Sequence, residues 1–356
     1  MSSTTRIPSS GVSRRTALKA GGAVAALAVT GFPLIAKAQN KELVMNLPGG
    51  IYEQNFKQHV VAPFEQKTGK KINLRFTPSD VVLTSMMAQR DNPEYDIAYL
   101  SYPLAMKAIT TKDLFIDLPI NLIPNAKDLH PLFYDLYERK AAGFNFAPFG
   151  IGYNTDKVKP APTSWQDLWR PDLKGRVSVT DLGGGFAFET VVIAALINGG
   201  SIDNLEPGWE ALKRLKPNVV RWYKSAPEGA QLMEREEAWV STIASSRMYA
   251  VQDAGKPVDW VAPKEGAPVG VLSFHVANKT PNRDLALEFI NFAISKEPLE
   301  GFANGIEFGA CNVKAELKGR AKDRVPPHEK LMRIDWPKLE PKMSAMAERW
   351  QREVVS

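Results

Sequence analysis

Residues 42–76 read ELVMNLPGGIYEQNFKQHVVAPFEQKTGKKINLRF, and this stretch decides the fold. Residues 42–46 predict a strand, and the glycine pair after Pro48 predicts a turn. Four apolar residues then recur at intervals of four, as on one face of a helix: Tyr52, Phe56, Val60 and Phe64. Gly69 predicts the end of this helix. Three alternating apolar residues predict a second strand: Ile72, Leu74 and Phe76. Two strands joined in this way are expected to be parallel, with a right-handed crossover.

The same alternation of strands and helices continues along the chain in two blocks. Further strands are predicted at 95–100, 176–180, 238–243, 257–261 and 269–276. We interpret the aromatic, glycine-rich passage from Phe144 to Tyr153 as the crossing into a second domain, and the last of these strands as the return. The pattern therefore predicts an α/β protein of two domains.

The 356 residues carry a formal net charge of +6, which raises the question of a nucleic-acid partner. Residues 1–38 contain five basic residues and no acidic residue: Arg6, Arg14, Arg15, Lys19 and Lys37. The remaining residues therefore carry a net charge of only +1. Because a nearly neutral body does not attract DNA or RNA, we expect no nucleic-acid partner.

The first 38 residues have the order of an export signal. A basic start is followed by an uncharged stretch over 20–36 and by the small-x-small sequence Ala36-Lys37-Ala38. The adjacent Arg14 and Arg15 are similar to a twin-arginine signal. We expect cleavage after Ala38, no lipid anchor, and a soluble protein in the periplasm. The alternative is an uncleaved anchor helix, although the uncharged stretch is short for a membrane span.

The familiar motifs of catalysis and metal binding are missing from the sequence. The single cysteine, Cys311, cannot form an internal disulfide, and we interpret it as a small buried hydrophobe. The four histidines are not at metal-ligand spacing, and there is no Gly-x-Ser-x-Gly elbow and no phosphate-binding loop. We therefore expect no cofactor and no metal, and an enzyme is the least favoured function.

Candidate binding residues follow from the fold class. Ligands of α/β sheets bind beyond the carboxyl ends of strands, where helix N-termini present backbone N–H groups. Four predicted strand-to-helix turns meet this condition, at 48–52, 100–103, 181–186 and 244–247. With one position on each crossing strand, the residues predicted to bind ligand are Gly50, Tyr52, Ser101, Tyr102, Phe149, Gly184, Gly185, Phe186, Ser245, Arg247 and Leu272.

Several of these candidates also have a purely structural interpretation. The run Gly183–Gly185 could hold an anion with its N–H groups, or it could form only a tight turn. Tyr52 and Tyr102 could stack on a ligand or cover the core. Arg247 falls in the first turn of a predicted helix, where a positive charge opposes the helix dipole. Either a bound anion or a neighbouring glutamate should compensate that charge.

Seven short passages, taken in order and spacing, carry a resemblance to a known family: 64–72 (FEQKTGKKI), 95–97 (YDI), 150–155 (GIGYNT), 164–169 (SWQDLW), 173–177 (LKGRV), 260–266 (WVAPKEG) and 286–292 (ALEFINF). The chain resembles the periplasmic solute-binding proteins of ABC importers over most of residues 42–315. The branch it resembles is that of the spermidine/putrescine-binding proteins and the related iron- and thiamine-binding proteins.

The resemblance implies the two-lobed, type II periplasmic binding protein fold. Each α/β lobe would be a mixed, mostly parallel sheet flanked by helices, and hinge strands would join the lobes. Lobe 1 would comprise 39–147 and 272–312, and lobe 2 would comprise 148–271 and 313–356. A small-molecule ligand would be held in the cleft without chemistry. The closed monomer would then dock on an inner-membrane permease that is powered by a cytoplasmic ATPase.

The resemblance also bears on the ligand. By register, an aromatic residue of the polyamine binders falls on Gly270 and an acid falls on Leu272, and neither is present here. Tyr102 does match an aromatic cleft position. Arg247 would repel a cation and hold a carboxylate, phosphonate or sulfonate, so we expect a small anionic or zwitterionic organic solute. A polyamine, or a module that feeds a sensor, remains the alternative. Ferric iron is disfavoured because paired tyrosines are not evident late in the second lobe.

Overall fold

The computed structural model describes residues 42–134 and 140–356. The predicted export signal, residues 1–38, lies outside the described residues. The side chain of Tyr102 and the surroundings of Gly184 also lie outside what the structure describes. Among the described helices, none is long and apolar enough to span a bilayer.

The strands of the described residues are β1 (Glu42–Asn46), β2 (Lys71–Arg75), β3 (Ile97–Ser101), β4 (Ala142–Asn154), β5 (Val177–Thr180), β6 (Val219–Tyr223), β7 (Val240–Ala244), β8 (Val258–Val261), β9 (Ala267–Val276), β10 (Gly309–Ala310) and β11 (Leu331–Met332). The α-helices are α1 (Ile51–Phe56), α2 (Ala62–Thr68), α3 (Ser79–Ala88), α4 (Tyr102–Thr110), α5 (Pro131–Tyr134), α6 (Ala187–Leu196), α7 (Glu206–Leu215), α8 (Ala226–Glu234), α9 (Ser245–Asp253), α10 (Arg283–Ala293), α11 (Lys296–Ile306), α12 (Gly319–Arg324), α13 (Trp336–Leu339) and α14 (Met343–Trp350).

The strand–helix–strand unit predicted at the start of the body is confirmed. β1 and β2 pair in parallel over their whole lengths. A π-helical segment, Lys57–Val61, joins α1 to α2, and Gly69 ends α2 in the left-handed conformation, with φ of 68°. Three residues of the predicted apolar face are completely buried: Phe56, Val60 and Phe64.

One sheet path runs through the molecule in the order β2-β1-β3-β9-β4-β7-β5-β6. We call the part built on β1, β2 and β3 the first lobe, and the part built on β5, β6, β7 and β8 the second lobe. β4 belongs to both. Up to Pro148 it is antiparallel to β9, and from Phe149 onward it is antiparallel to β7. The passage predicted as a crossing is therefore one continuous strand.

β9 crosses between the lobes in the opposite direction to β4. Residues 269–274 pair with β4, and residues 272–276 pair with β3 of the first lobe. β8, which pairs with the second half of β4, precedes β9 in the chain. Two antiparallel strands therefore connect the lobes side by side. This arrangement is the predicted α/β, two-lobed fold, with helices on both lobes.

Asp96, in the passage 95–97, places a buried carboxylate in the first lobe. Asp96 accepts hydrogen bonds from the backbone N–H of Val44 at 2.8 Å, from Asn282 Nδ2 at 3.1 and 3.2 Å, and from the Thr280 hydroxyl. A carboxylate with only 6% exposure is thus fully satisfied. These hydrogen bonds connect β1 and the segment after β9 to the residue that precedes β3.

The C-terminal part of the chain touches both lobes. α12 packs on α11 of the first lobe, and its arginines form ion pairs with Asp253 at the end of α9. β11 then pairs in parallel with the start of β9. Near the end, the indole Nε1 of Trp350 donates a hydrogen bond of 2.7 Å to Asp181 in the second lobe. Cys311 is buried and free, as predicted.

Candidate ligand-binding site

The two crossing strands bring several of the predicted residues to one place. Ser101, the last residue of β3, lies opposite Leu272 of β9, and Ala147 of β4 lies opposite Gly270 of β9. Ala147, Gly270 and Leu272 are partly exposed, whereas Val269 and Val271 between them are buried. Because alternate residues of a strand face opposite sides, these partly exposed residues line one surface at the crossing. We call this surface, formed by Ala147, Gly270 and Leu272, the cleft floor.

The second lobe adds an aromatic pair next to the cleft floor. The rings of Phe149 and Phe186 are stacked, with centroids 4.3 Å apart and planes at 6°. Phe149 lies opposite Ala244, the last residue of β7, and Ser245 follows directly at the start of α9. Phe149 and Ser245 are buried, whereas Phe186 is partly exposed. The structure therefore brings predicted residues from the β5–α6 and β7–α9 turns to the crossing strands.

Tyr52 has internal partners for its hydroxyl group. The hydroxyl lies 2.6 Å from Asn145 Oδ1 and 2.5 Å from the hydroxyl of Tyr99. Its ring packs edge-on against Phe302, with centroids 4.9 Å apart. Burial is the main reason that the pKa of the Tyr52 hydroxyl is raised above its usual range. The hydroxyl therefore belongs to the interior of the first lobe, and only the ring is left for contact with a ligand.

The predicted glycines occupy turns at the ends of strands. Gly50 precedes α1 with φ of 72°, and Gly185 precedes α6 with φ of 78°, and both are exposed. In the same run, a Cβ atom at Gly183 would lie 2.8 Å from the carbonyl oxygen of Lys224. Residues Leu182–Gly184 form a 3₁₀ turn. Positive φ values at Gly50 and Gly185 and close packing at Gly183 thus account for these three glycines without a ligand.

Arg247 lies in the first turn of α9, as predicted, and its side chain is exposed. Within residues 42–134 and 140–356 it forms no ion pair and no side-chain hydrogen bond. The neighbouring glutamate that could have compensated its charge is therefore not found in the described part of the chain. A cation remains at a helix N-terminus, where the dipole disfavours it.

Two acidic residues near the β5–α6 turn were not singled out in the sequence. Asp181 is buried, and its carboxylate accepts hydrogen bonds from the Trp350 indole and from the N–H of Leu182 at 2.7 Å. Glu189 in the first turn of α6 is also buried, and burial raises the pKa of its carboxyl to about 7. A small cavity, lined by Pro268 and Trp336 among others, lies beside it. The position of Glu189 in the first turn of a helix does not by itself indicate, in the sequence, that its side chain is buried.

The rest of the described surface offers no second candidate site built from the predicted residues. A depression of about 690 Å³ lies at the C-terminal end of α4 and is lined by residues such as Lys112, Lys140 and Arg283, but by none of the predicted site residues. No group of three or more His, Cys, Asp or Glu side chains in the described chain is arranged to hold a metal ion.

Comparison with known proteins relates this geometry to a family. A family model described as bacterial extracellular solute-binding protein matches residues 59–326. The spermidine/putrescine-binding periplasmic protein of Escherichia coli (strain K12) is 30% identical over 168 residues, which cover 46% of this chain and 47% of that relative. The chain thus spans about half the length of that relative. The gamma-aminobutyric acid-binding protein of Pseudomonas aeruginosa is 21% identical over 286 residues, covering 78% of this chain and 79% of the relative.

A solved structure agrees with these sequence matches. An ABC transporter protein from Clostridium perfringens superposes with a TM-score of 0.79 at 26% identity, covering 88% of this chain and 99% of that one. The predicted two-lobed fold and the predicted resemblance are both confirmed. Because the family model spans most of the body, the chain belongs to the bacterial extracellular solute-binding protein family.

Proposed function

We propose that this protein is the periplasmic substrate-binding component of an ABC transporter and captures a small anionic or zwitterionic organic solute between its lobes. The observation that carries the proposal is the convergence of residues from both lobes on the cleft floor. Ser101 reaches it from the first lobe, and Phe186 reaches it from the second. Ligand bound there would contact both lobes and favour the conformation in which they are close together.

The charges near the cleft floor favour an anionic group on the ligand. Arg247 offers an exposed guanidinium without a partner among the described residues, and a carboxylate, phosphonate or sulfonate could accept two hydrogen bonds from it. The carboxylate of Asp181 is buried and accepts a hydrogen bond from the Trp350 indole, and the side chain of Glu189 is also buried. Neither acid offers an exposed carboxylate to an ammonium group. A polyamine would therefore meet a cation where it needs an anion.

The names of the relatives indicate two classes of ligand. Gamma-aminobutyric acid, named for the Pseudomonas relative, is a zwitterion and fits the charge argument. Spermidine and putrescine, named for the Escherichia coli relative, make a polyamine the second candidate. A sensor in place of a permease would use the same cleft and would differ only in the partner of the closed form.

The remaining parts of the proposal concern the path to the membrane. We propose export by the twin-arginine signal of residues 1–38, release after Ala38, and a monomer that delivers the solute to an inner-membrane permease with its cytoplasmic ATPase. The protein would do no chemistry on the solute.

A binding screen with one matched pair of variants tests the proposal. Purified protein is titrated calorimetrically with γ-amino acids, dicarboxylates, aminophosphonates, sulfonates, putrescine and spermidine. We expect an anion or zwitterion to bind, Arg247→Ala to weaken that binding at least tenfold, and Arg235→Ala to leave it unchanged, since the Arg235 side chain is 67% exposed in a turn after α8. Preferential binding of putrescine would contradict the anionic site, and unchanged affinity in Arg247→Ala would remove Arg247 from it.

A further inference from the structure

The ring of Phe186 ends a row of three aromatic side chains. Phe149 stacks on Phe186 and also lies parallel to Trp165, with centroids 6.1 Å apart and planes at 25°. Trp165 and Phe149 are buried, whereas Phe186 is only partly exposed to solvent. One face of the Phe186 ring is covered by Phe149. The row of rings therefore ends at the cleft floor with an aromatic face that no other ring covers among the described residues.

The backbone holds Phe186 in an uncommon conformation to present this ring. Phe186 has φ of 63°, in the left-handed region that bulky residues seldom occupy. Its carbonyl oxygen accepts hydrogen bonds from both the backbone N–H and the hydroxyl of Thr190, at 3.0 and 2.8 Å. The hydroxyl of Thr180 donates to the carbonyl oxygen of Gly185 just before it. A strained residue fixed by its surroundings is typical of a ligand-binding position.

Gly270 makes room for this ring on the cleft floor. A Cβ atom at position 270 would lie 3.0 Å from Cζ of Phe186, closer than carbon atoms ordinarily approach. Ala147, which pairs with Gly270 across the sheet, is also small. The aromatic ring over the cleft floor therefore comes from Phe186, at the N-terminus of α6.

We propose that Phe186 selects the ligand, because the face of its ring that points away from Phe149 packs against a flat, aromatic portion of a solute that also carries a carboxylate or a related anionic group. The inference rests on the proposed binding function and names the class of solute. Aromatic rings stack in offset, parallel pairs, so a planar group would extend the row formed by Trp165, Phe149 and Phe186. Gly270 acts as a positioning residue, since any side chain there would displace the ring.

Two pairs of probes that differ only in planarity test the proposal. Benzoate and L-phenylalanine are titrated into the purified protein beside cyclohexanecarboxylate and L-cyclohexylalanine, with gamma-aminobutyrate and putrescine as solutes that have no ring. We expect an aromatic probe to bind at least tenfold more tightly than its saturated counterpart. Phe186→Ala should weaken that binding at least tenfold and abolish the preference. Phe76→Ala, which removes an exposed ring elsewhere on the first lobe, should change neither.

The contact with Gly270 gives a second, independent readout. In the wild-type background, Gly270→Ala should lower the affinity for the aromatic probe at least tenfold. In Phe186→Ala, where the ring is gone, the same substitution should have no further effect on that affinity. Thermal unfolding of each variant checks that the fold is intact. Equal binding of aromatic and saturated probes, or wild-type affinity in Phe186→Ala, would overturn the inference. Binding of gamma-aminobutyrate alone would overturn the inference and leave the proposed function standing, whereas binding of putrescine alone would overturn both the inference and the anionic site. Binding of none of the probes would overturn the inference, and the wider screen would then decide the proposed function.

Discussion

Arg324 on α12 donates hydrogen bonds to both carboxylate oxygens of Asp253 on α9, at 2.9 and 2.5 Å. The same guanidinium donates to Glu307, at the end of α11, at 2.6 Å. Arg320 of the same helix also pairs with both acids. Since α9 belongs to the second lobe and α11 packs on α1 of the first, these ion pairs connect the lobes away from β4 and β9. The two arginines lower the pKa of the Asp253 carboxyl to about 2.

We expect Asp253→Asn to lower the free energy of unfolding by about 0.5–1 kcal/mol, because the pair is partly open to solvent and screened by it. Urea unfolding at low salt and at high salt measures this, and the difference from wild type should shrink at high salt. Asp203→Asn is the control, since Asp203 pairs with Lys338 at 3.2 Å and both side chains are more than half exposed. An equal effect of the two substitutions would contradict a special role for Asp253.

The buried carboxyl of Glu189 should make stability depend on pH. Its pKa is raised from 4.5 to about 7 in the folded protein, so between these values the folded state holds a proton that the unfolded chain releases. The free energy of unfolding should therefore fall as pH rises through this window, by up to roughly 3 kcal/mol, and stay level above it.

Glu189→Gln should remove that decline, so that the variant gains stability over wild type between pH 5 and pH 8. Urea unfolding at several pH values in this range measures the slope. Glu234→Gln serves as the control because Glu234 is exposed at the end of α8. Parallel profiles for wild type and Glu189→Gln would show that another group titrates.

Removal of the Tyr52 hydroxyl should affect folding more than binding. Tyr52→Phe leaves Oδ1 of the Asn145 side chain and the Tyr99 hydroxyl with one partner fewer, which should cost about 1 kcal/mol of stability. The ring remains, so the affinity for the solute found in the binding screen should change less than threefold. Calorimetric titration and urea unfolding separate the two effects. A tenfold loss of affinity at unchanged stability would mean that the hydroxyl contacts the ligand.

Much of the fold can be predicted from the sequence because its signals are local. The spacing of Phe56, Val60 and Phe64 determines which helix face is buried, and Gly69 marks the helix end. The crossing at Phe144–Tyr153 could be located from composition. That it is a single strand of 13 residues depends on partners from β7, β9 and β10, which a one-dimensional pattern does not contain.

The candidate site could be predicted only as a set of turns. Ser101, Phe149 and Leu272 were found because they lie at strand ends or crossings. The stacking of Phe186 over Gly270 joins residues 84 positions apart and depends on a left-handed residue in a turn, so no periodicity indicates it. Glu189 lies beside a cavity whose other lining residues come from β9, from β11 and from elsewhere far along the chain, so its neighbours in the sequence do not indicate its burial. Whether these residues bind ligand stays a prediction.

The continuity of β4 also limits how the protein can deform. Its hydrogen bonds pass from β9 to β7 between Pro148 and Phe149 without an intervening loop. A rotation of one lobe against the other must therefore be taken up as a change of strand twist, distributed over several peptide units of β4 and β9. The structure therefore predicts that the lobes move relative to one another by gradual bending and twisting of β4 and β9, and not about a flexible loop at a single residue.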